Sequence, residues 1–153
     1  MAENNNETGL AGRLPKTPNP ALKQFERLIG TWRISGPDVK GTVRYEWMEG
    51  GFFFIQHFDL IQGGGHYKGI EYTGFDEDTQ TLRSRLMGTD GSRYTYTYSF
   101  EGDTMYYWFG EKGSKTHSVS TFSEDGNTFT GHWEMPNPDG TPGGYSYMAE
   151  RKR

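Results

Sequence analysis

The side chains best suited to acid–base or metal chemistry are the four histidines, His57, His66, His117 and His132. No two stand at the short spacing of a zinc site, and no cysteine is present to complete one. No metal centre is expected. His132 alternates with Thr130 and Glu134, which points it to solvent. His66 follows three glycines and reads as a loop residue. His57 and His117 lie in strand-like runs, where either face is open to them. Glu71 is the carboxylate of interest, sharing a face with Tyr67, Gly69, Thr73 and Phe75. Turned inward, it is desolvated, its pKa rises, and it can serve as a base. Turned outward, it is a surface acid beside Arg83 or Arg85 on the next strand. Those two arginines also share a face, either a solvated one or an anion site inside a fold.

Tyr94, Tyr96 and Tyr98, with Trp108 or Tyr107 next door, form an aromatic stripe. Such a stripe fills a core or walls a ligand pocket, and pockets are mostly apolar with a few placed hydroxyls. Tyr94, Tyr96, Tyr98, Trp108 and His117 are therefore the expected ligand-binding residues. Glu71 and His57 are the expected catalytic candidates, with Tyr96 orienting a substrate. Gly91-Ser92-Arg93 and Gly113-Ser114-Lys115 read as hairpin turns rather than nucleophile elbows. The Gly63-Gly64-Gly65 run opens no helix and so cradles no phosphate.

The elements that must position these groups are legible from turn signals. Residues 1–18 are polar, with Gly9, Gly12, Pro15 and Pro18, and read as a flexible leader to a domain over 19–153. Asn19 can cap a short helix, Pro20 suits its first turn, and Gly30 can end it. Leu22, Phe25, Leu28 and Ile29 supply its apolar face. No second helix follows. Strand-like runs fall at 31–36, 41–48, 52–61, 66–75, 80–88, 92–100, 103–110, 115–122, 127–135 and 143–152. Asp-Gly, Gly-Asp and Gly-rich punctuation between them suits tight hairpins. Val43, Tyr45 and Trp47 alternate with Thr42, Arg44 and Glu46, as a two-faced strand requires. Phe52-Phe53-Phe54-Ile55 is apolar on both faces. Ten short antiparallel strands close most simply into an up-and-down β-barrel, which leaves no free edge. The expected class is all-β, the barrel closed at one end by the short N-terminal helix.

Composition narrows the function. Of 153 residues, Leu, Ile and Val number 15 against 24 Phe, Trp and Tyr, so rings must build the core. Aromatic residues favour pleated surfaces over helices. The net charge of −4, with mixed signs, argues against nucleic acid, which needs a basic stripe. No apolar run reaches membrane-spanning length, and no membrane partner is expected. The absence of cysteine and of a signal-like start points to a cytoplasmic setting.

Gly30-Thr31-Trp32, after the short helix, is similar to the Gly-x-Trp signature of lipocalins and related calycins. Tyr45-Glu46-Trp47-Met48-Glu49-Gly50-Gly51-Phe52 and Gly69-Ile70-Glu71-Tyr72-Thr73-Gly74-Phe75-Asp76 resemble a bacterial lipocalin-like family known only as a domain of unknown function. With the two ends, the resemblance covers most of residues 25–152. It implies a central cavity and a Trp plug at Trp32, crossed by a basic residue of the last strand. Arg151 stands where that residue falls, with Lys152 the alternative. The resemblance extends to nitrobindin-type barrels, which hold haem through a histidine near the chain end. Here the last histidine is His132, and Trp32 is followed by Arg33, Ile34 and Ser35 instead of the fuller glycine pattern.

Four functions stay open on these grounds. The leading one is binding of a small hydrophobic or aromatic molecule in the barrel, with no cofactor expected. The second is a cofactor-free enzyme of isomerase or cyclase type in the same cavity, and haem binding is another. The fourth is protein binding or homodimer formation through the outer faces of residues 52–58.

Overall fold

A computed structural model describes residues 14–153. Of the expected leader at 1–18, residues 1–13 lie outside the described residues and 14–18 are irregular. The first element is a 3-10 helix, Pro20–Leu28, capped by Asn19, whose Oδ1 accepts from Ala21 N at 2.9 Å. Its buried residues are Leu22, Phe25 and Leu28. That spacing of three matches three residues per turn, which explains why the segment winds tighter than an α-helix. Ile29, expected on the same face, falls at the helix end instead.

Ten strands follow: β1 Gly30–Ser35, β2 Val39–Trp47, β3 Phe54–Gln62, β4 Gly65–Asp76, β5 Thr81–Gly88, β6 Arg93–Glu101, β7 Thr104–Phe109, β8 His117–Phe122, β9 Thr128–Glu134 and β10 Gly144–Arg151. Each pairs antiparallel with its neighbours in sequence, and β1 pairs with β10 to close the barrel. Phe52 and Phe53 precede β3. Phe53 is exposed, and its ring lies across Gly74 on the outer wall. No helix among the described residues is long and apolar enough to cross a membrane.

The core is concentrated at the helix end. Phe25 stacks on Phe54 at 4.8 Å and meets Tyr98 and Phe100 edge-on at 5.4 and 5.2 Å. Trp32 is wholly buried, packs edge-on against Phe129 and donates its indole N–H to Leu28 O at 2.8 Å. The Arg151 guanidinium lies 4.3 Å from the Trp32 ring and donates to the carbonyls of Ile29 and Arg27. The terminal strand thereby ties the helix to the indole plug, with Arg151 as the partner. Gly30 takes φ +121°, and a Cβ there would meet Arg151 Nη1 at 3.1 Å. Glycine is required at that point both for backbone conformation and for room.

Candidate functional site

Alternation along each strand sends one set of side chains into the barrel and the other outward. The inward set leaves a cavity of about 570 Å³ above the helix-closed end. Its floor includes Phe25, Leu28, Phe54 and Phe129, and its rim includes Tyr67, Tyr94, Phe109, Trp133 and Tyr145. The rim is framed by the loops between β1 and β2, β3 and β4, β5 and β6, β7 and β8, and β9 and β10. Tyr67, Tyr94 and Phe109 are exposed there, although each is a large ring.

Glu71 points into this lumen and is only 3% exposed. Antiparallel register sets it opposite Gln56 on β3 and Leu86 on β5. Tyr98 Oη donates to Glu71 Oε2 at 2.7 Å. Ser84, also buried, has an Oγ with no well-formed hydrogen bond. Burial raises the Glu71 pKa above its ordinary 4.5; the nearby Ser84 and Tyr98 hydroxyls act more weakly the other way. The carboxyl is thus biased toward its neutral form. Burial first, then the field of Glu71, raises the hydroxyls of Tyr45, Tyr96 and Tyr98 above 10, so they remain protonated.

Two further polar groupings line the wall. Gln56 Nε2 donates to Tyr45 Oη at 3.1 Å. Tyr147 Oη bonds both Tyr107 Oη and, at 2.7 Å, Ser118 Oγ. This hydroxyl chain depends on Gly131, where a Cβ would fall 2.4 Å from Tyr147 Oη. Glycine inside a strand here marks a close approach rather than a weak point.

Of the residues expected to bind ligand, Tyr94, Tyr96 and Tyr98 line the lumen. Trp108 does not. Tyr107 faces inward, so both of its neighbours face out, and Trp108 stacks on Tyr106 at 5.7 Å outside the barrel. His117 is also external, because Ser118 takes the inward position beside it; the His117 Nδ1 lies 3.2 Å from Lys115 O. The expected catalytic pairing of Glu71 with His57 does not assemble. Gln56 and Phe58 face the lumen, which puts His57 on the outer wall, 2.6 Å from Glu46 Oε2. Arg44 joins the same carboxylate at 3.1 Å, and His57 and Arg44 together hold Glu46 below its ordinary range. Arg83 and Arg85 lie outside as well, because Ser84 is the buried residue between them. His66 belongs to β4 rather than to a loop and pairs with Asp59 at 2.6 Å on the surface. His132 is exposed as expected, 3.1 Å from Glu134.

No histidine lines the lumen. A haem held through histidine, as the nitrobindin resemblance would require, finds no such ligand there. Among the described residues no cluster of His, Asp or Glu is arranged to hold a metal ion.

Sequence reasoning missed Gln56, Ser84, Ser118, Trp133 and Tyr147, and of its two alternatives Trp108 and Tyr107 it is Tyr107 that lines the lumen. Tyr145 and Tyr147 alternate with Ser146, which is a readable signal in the last strand. Gln56 carries none, since only its register opposite Glu71 makes it a wall residue.

Fold and lumen define a closed ten-stranded antiparallel barrel with a pocket open at one end. No family model matches the chain, and no curated protein matches it significantly. Solved structures do. The crystal structure of Rv2717c from M. tuberculosis aligns with TM-score 0.54 at 16% identity, over 89% of this chain and 99% of that one. A de novo designed fluorescence-activating β-barrel aligns with TM-score 0.43 at 16% identity, over 83% of this chain and 95% of that one. The likeness to Rv2717c is one of fold alone.

Proposed function

We propose that the protein binds a small hydrophobic or aromatic molecule in the barrel lumen, as a lipocalin-like carrier or sensor. The observation that carries this reading is the cavity of about 570 Å³, walled by rings, open at one end and holding, among the described residues, a single buried acid. That volume lies within the usual range of roughly 300–1,000 Å³ for ligand pockets. The arrangement of Trp32 under Arg151 supports the lipocalin-like reading.

N-phenyl-1-naphthylamine, a neutral aromatic dye, tests the proposal. Trp133 is on the lumen wall and Trp108 on the outer wall. Saturable dye emission should appear together with loss of Trp133 fluorescence, and native mass spectrometry should show one dye per chain. Dye emission unchanged in a Leu86→Trp variant, whose larger ring intrudes on the lumen opposite Glu71, would place binding elsewhere and defeat the reading.

A further inference from the structure

The charge distribution of the lumen identifies the class of ligand, an inference that rests on the lumen being a binding site. Among the described residues, three charged side chains line the cavity: Lys68, Asp90 and Glu71. Lys68 and Asp90 are exposed at the rim and of opposite sign. Glu71 alone lies deep, and no lysine or arginine pairs with it among the described ion pairs. The groups around it are Tyr45 from β2, Gln56 from β3, Ser84 and Leu86 from β5, and Tyr96 and Tyr98 from β6. None is basic.

Several lumen donors are already occupied. Tyr98 donates to Glu71, Gln56 donates to Tyr45, and Tyr107, Tyr147 and Ser118 bond one another. An acceptor-rich ligand would have to displace these bonds. An anion would meet an acid and the negative faces of rings. A cation meets both a carboxylate that lacks a counter-charge and ring faces that attract positive charge.

We propose that the lumen selects small, flat aromatic molecules that carry a positive charge, as a protonated amine or a quaternary nitrogen. Glu71 is the counter-ion, and the rings of Tyr45, Tyr96 and Tyr98 enclose the charged group. The ligand's charge offsets the desolvation that otherwise disfavours ionised Glu71, so binding ionises the carboxyl and releases its proton. Affinity for the cation therefore rises with pH until free Glu71 itself ionises, and then levels.

A matched pair of dyes isolates the charge. 4-(4-Dimethylaminostyryl)-N-methylpyridinium is cationic, and 4-dimethylamino-4′-methylstilbene replaces its charged ring nitrogen by carbon at almost the same shape. The cation should bind at least about tenfold more tightly, the discrimination that ~1.4 kcal/mol of charge and ring contact gives. Titration calorimetry of the wild-type protein in buffers of different ionisation enthalpy should show proton release that is absent for the stilbene. Glu71→Gln should erase the preference. Equal or tighter binding of the stilbene, or cation binding without pH dependence, overturns the proposal while leaving a ligand-binding lumen intact. If neither dye quenches Trp133, both the proposal and the underlying reading fall. The comparison of dyes and the calorimetry use unmodified protein, so they stand even if Glu71→Gln does not fold.

Discussion

Glu71 sets the residue-scale behaviour of the molecule. The folded protein holds its proton more tightly than the unfolded chain, where the carboxyl titrates near 4.5. Below that pH both states are protonated and the group exacts no penalty. As pH rises from about 4.5 through the raised folded value, the unfolded chain gives up its proton first and stability falls. Glu71→Gln should remove this part of the pH dependence. The variant's urea midpoint should gain on wild type across that window and then hold a constant lead. Parallel midpoint–pH curves would show that the carboxyl titrates as though solvated. Trp108 and Trp32 give a second test at this scale. Acrylamide should quench emission from half-buried Trp108 clearly more than from Trp32, which has no exposed surface. Single-tryptophan variants read this directly.

At the scale of elements, the helix and the last strand act as one closure. The 3-10 helix is too short to persist alone, so it depends on docking. Phe25 supplies that docking by stacking on Phe54 and meeting Tyr98 and Phe100. Phe25→Ala should cost about 3–5 kcal/mol, as for other buried rings. Chemical denaturation measures it, and a cost near zero would mean the helix is not part of the cooperative unit. Gly30→Ala meets backbone strain and the Arg151 guanidinium together. A loss of roughly 1–3 kcal/mol is expected from the backbone alone. Arg151→Ala in the same background should recover only the steric share, which a double-mutant cycle separates from the strain.

At the scale of the whole molecule, the barrel keeps a core at one end and a void at the other. The closed end buries Trp32, Phe25, Phe122 and Phe129, while the mouth leaves Tyr67, Tyr94 and Phe109 exposed. Most of the ring packing therefore lies in one half and the open lumen in the other. Leu86→Trp, opposite Glu71 in the lumen wall, should weaken dye binding with little change in Tm. Trp108→Phe, on the outer wall, should leave dye binding as it was. Loss of binding in both variants would point to a general loosening of the barrel rather than to a defined lumen.

The sequence by itself determined the strand number, their order, the helix cap and the Gly30–Trp32 plug. Turn-forming pairs and glycines interrupt the chain at regular intervals, and that punctuation is local. Alternation also divided each strand into two faces. It did not say which face is inside wherever both carry rings or both carry polar groups. In β7 the run Tyr106-Tyr107-Trp108 reads the same from either side, and in β3 His57 and Gln56 are both polar. Tertiary structure decided both: in β7, register sets Tyr107 opposite inward-facing Tyr98 and Ser118, and in β3 the docked helix decides. Phe25 stacks on Phe54, which fixes Phe54 as inward; parity then carries Gln56 and Phe58 inside and puts His57 out. Register opposite Gln56 brings Glu71 into the same lumen. The acid's environment thus depends on a helix far earlier in the chain. Local pattern cannot carry such a dependence, because it arises only when the barrel closes and the helix docks.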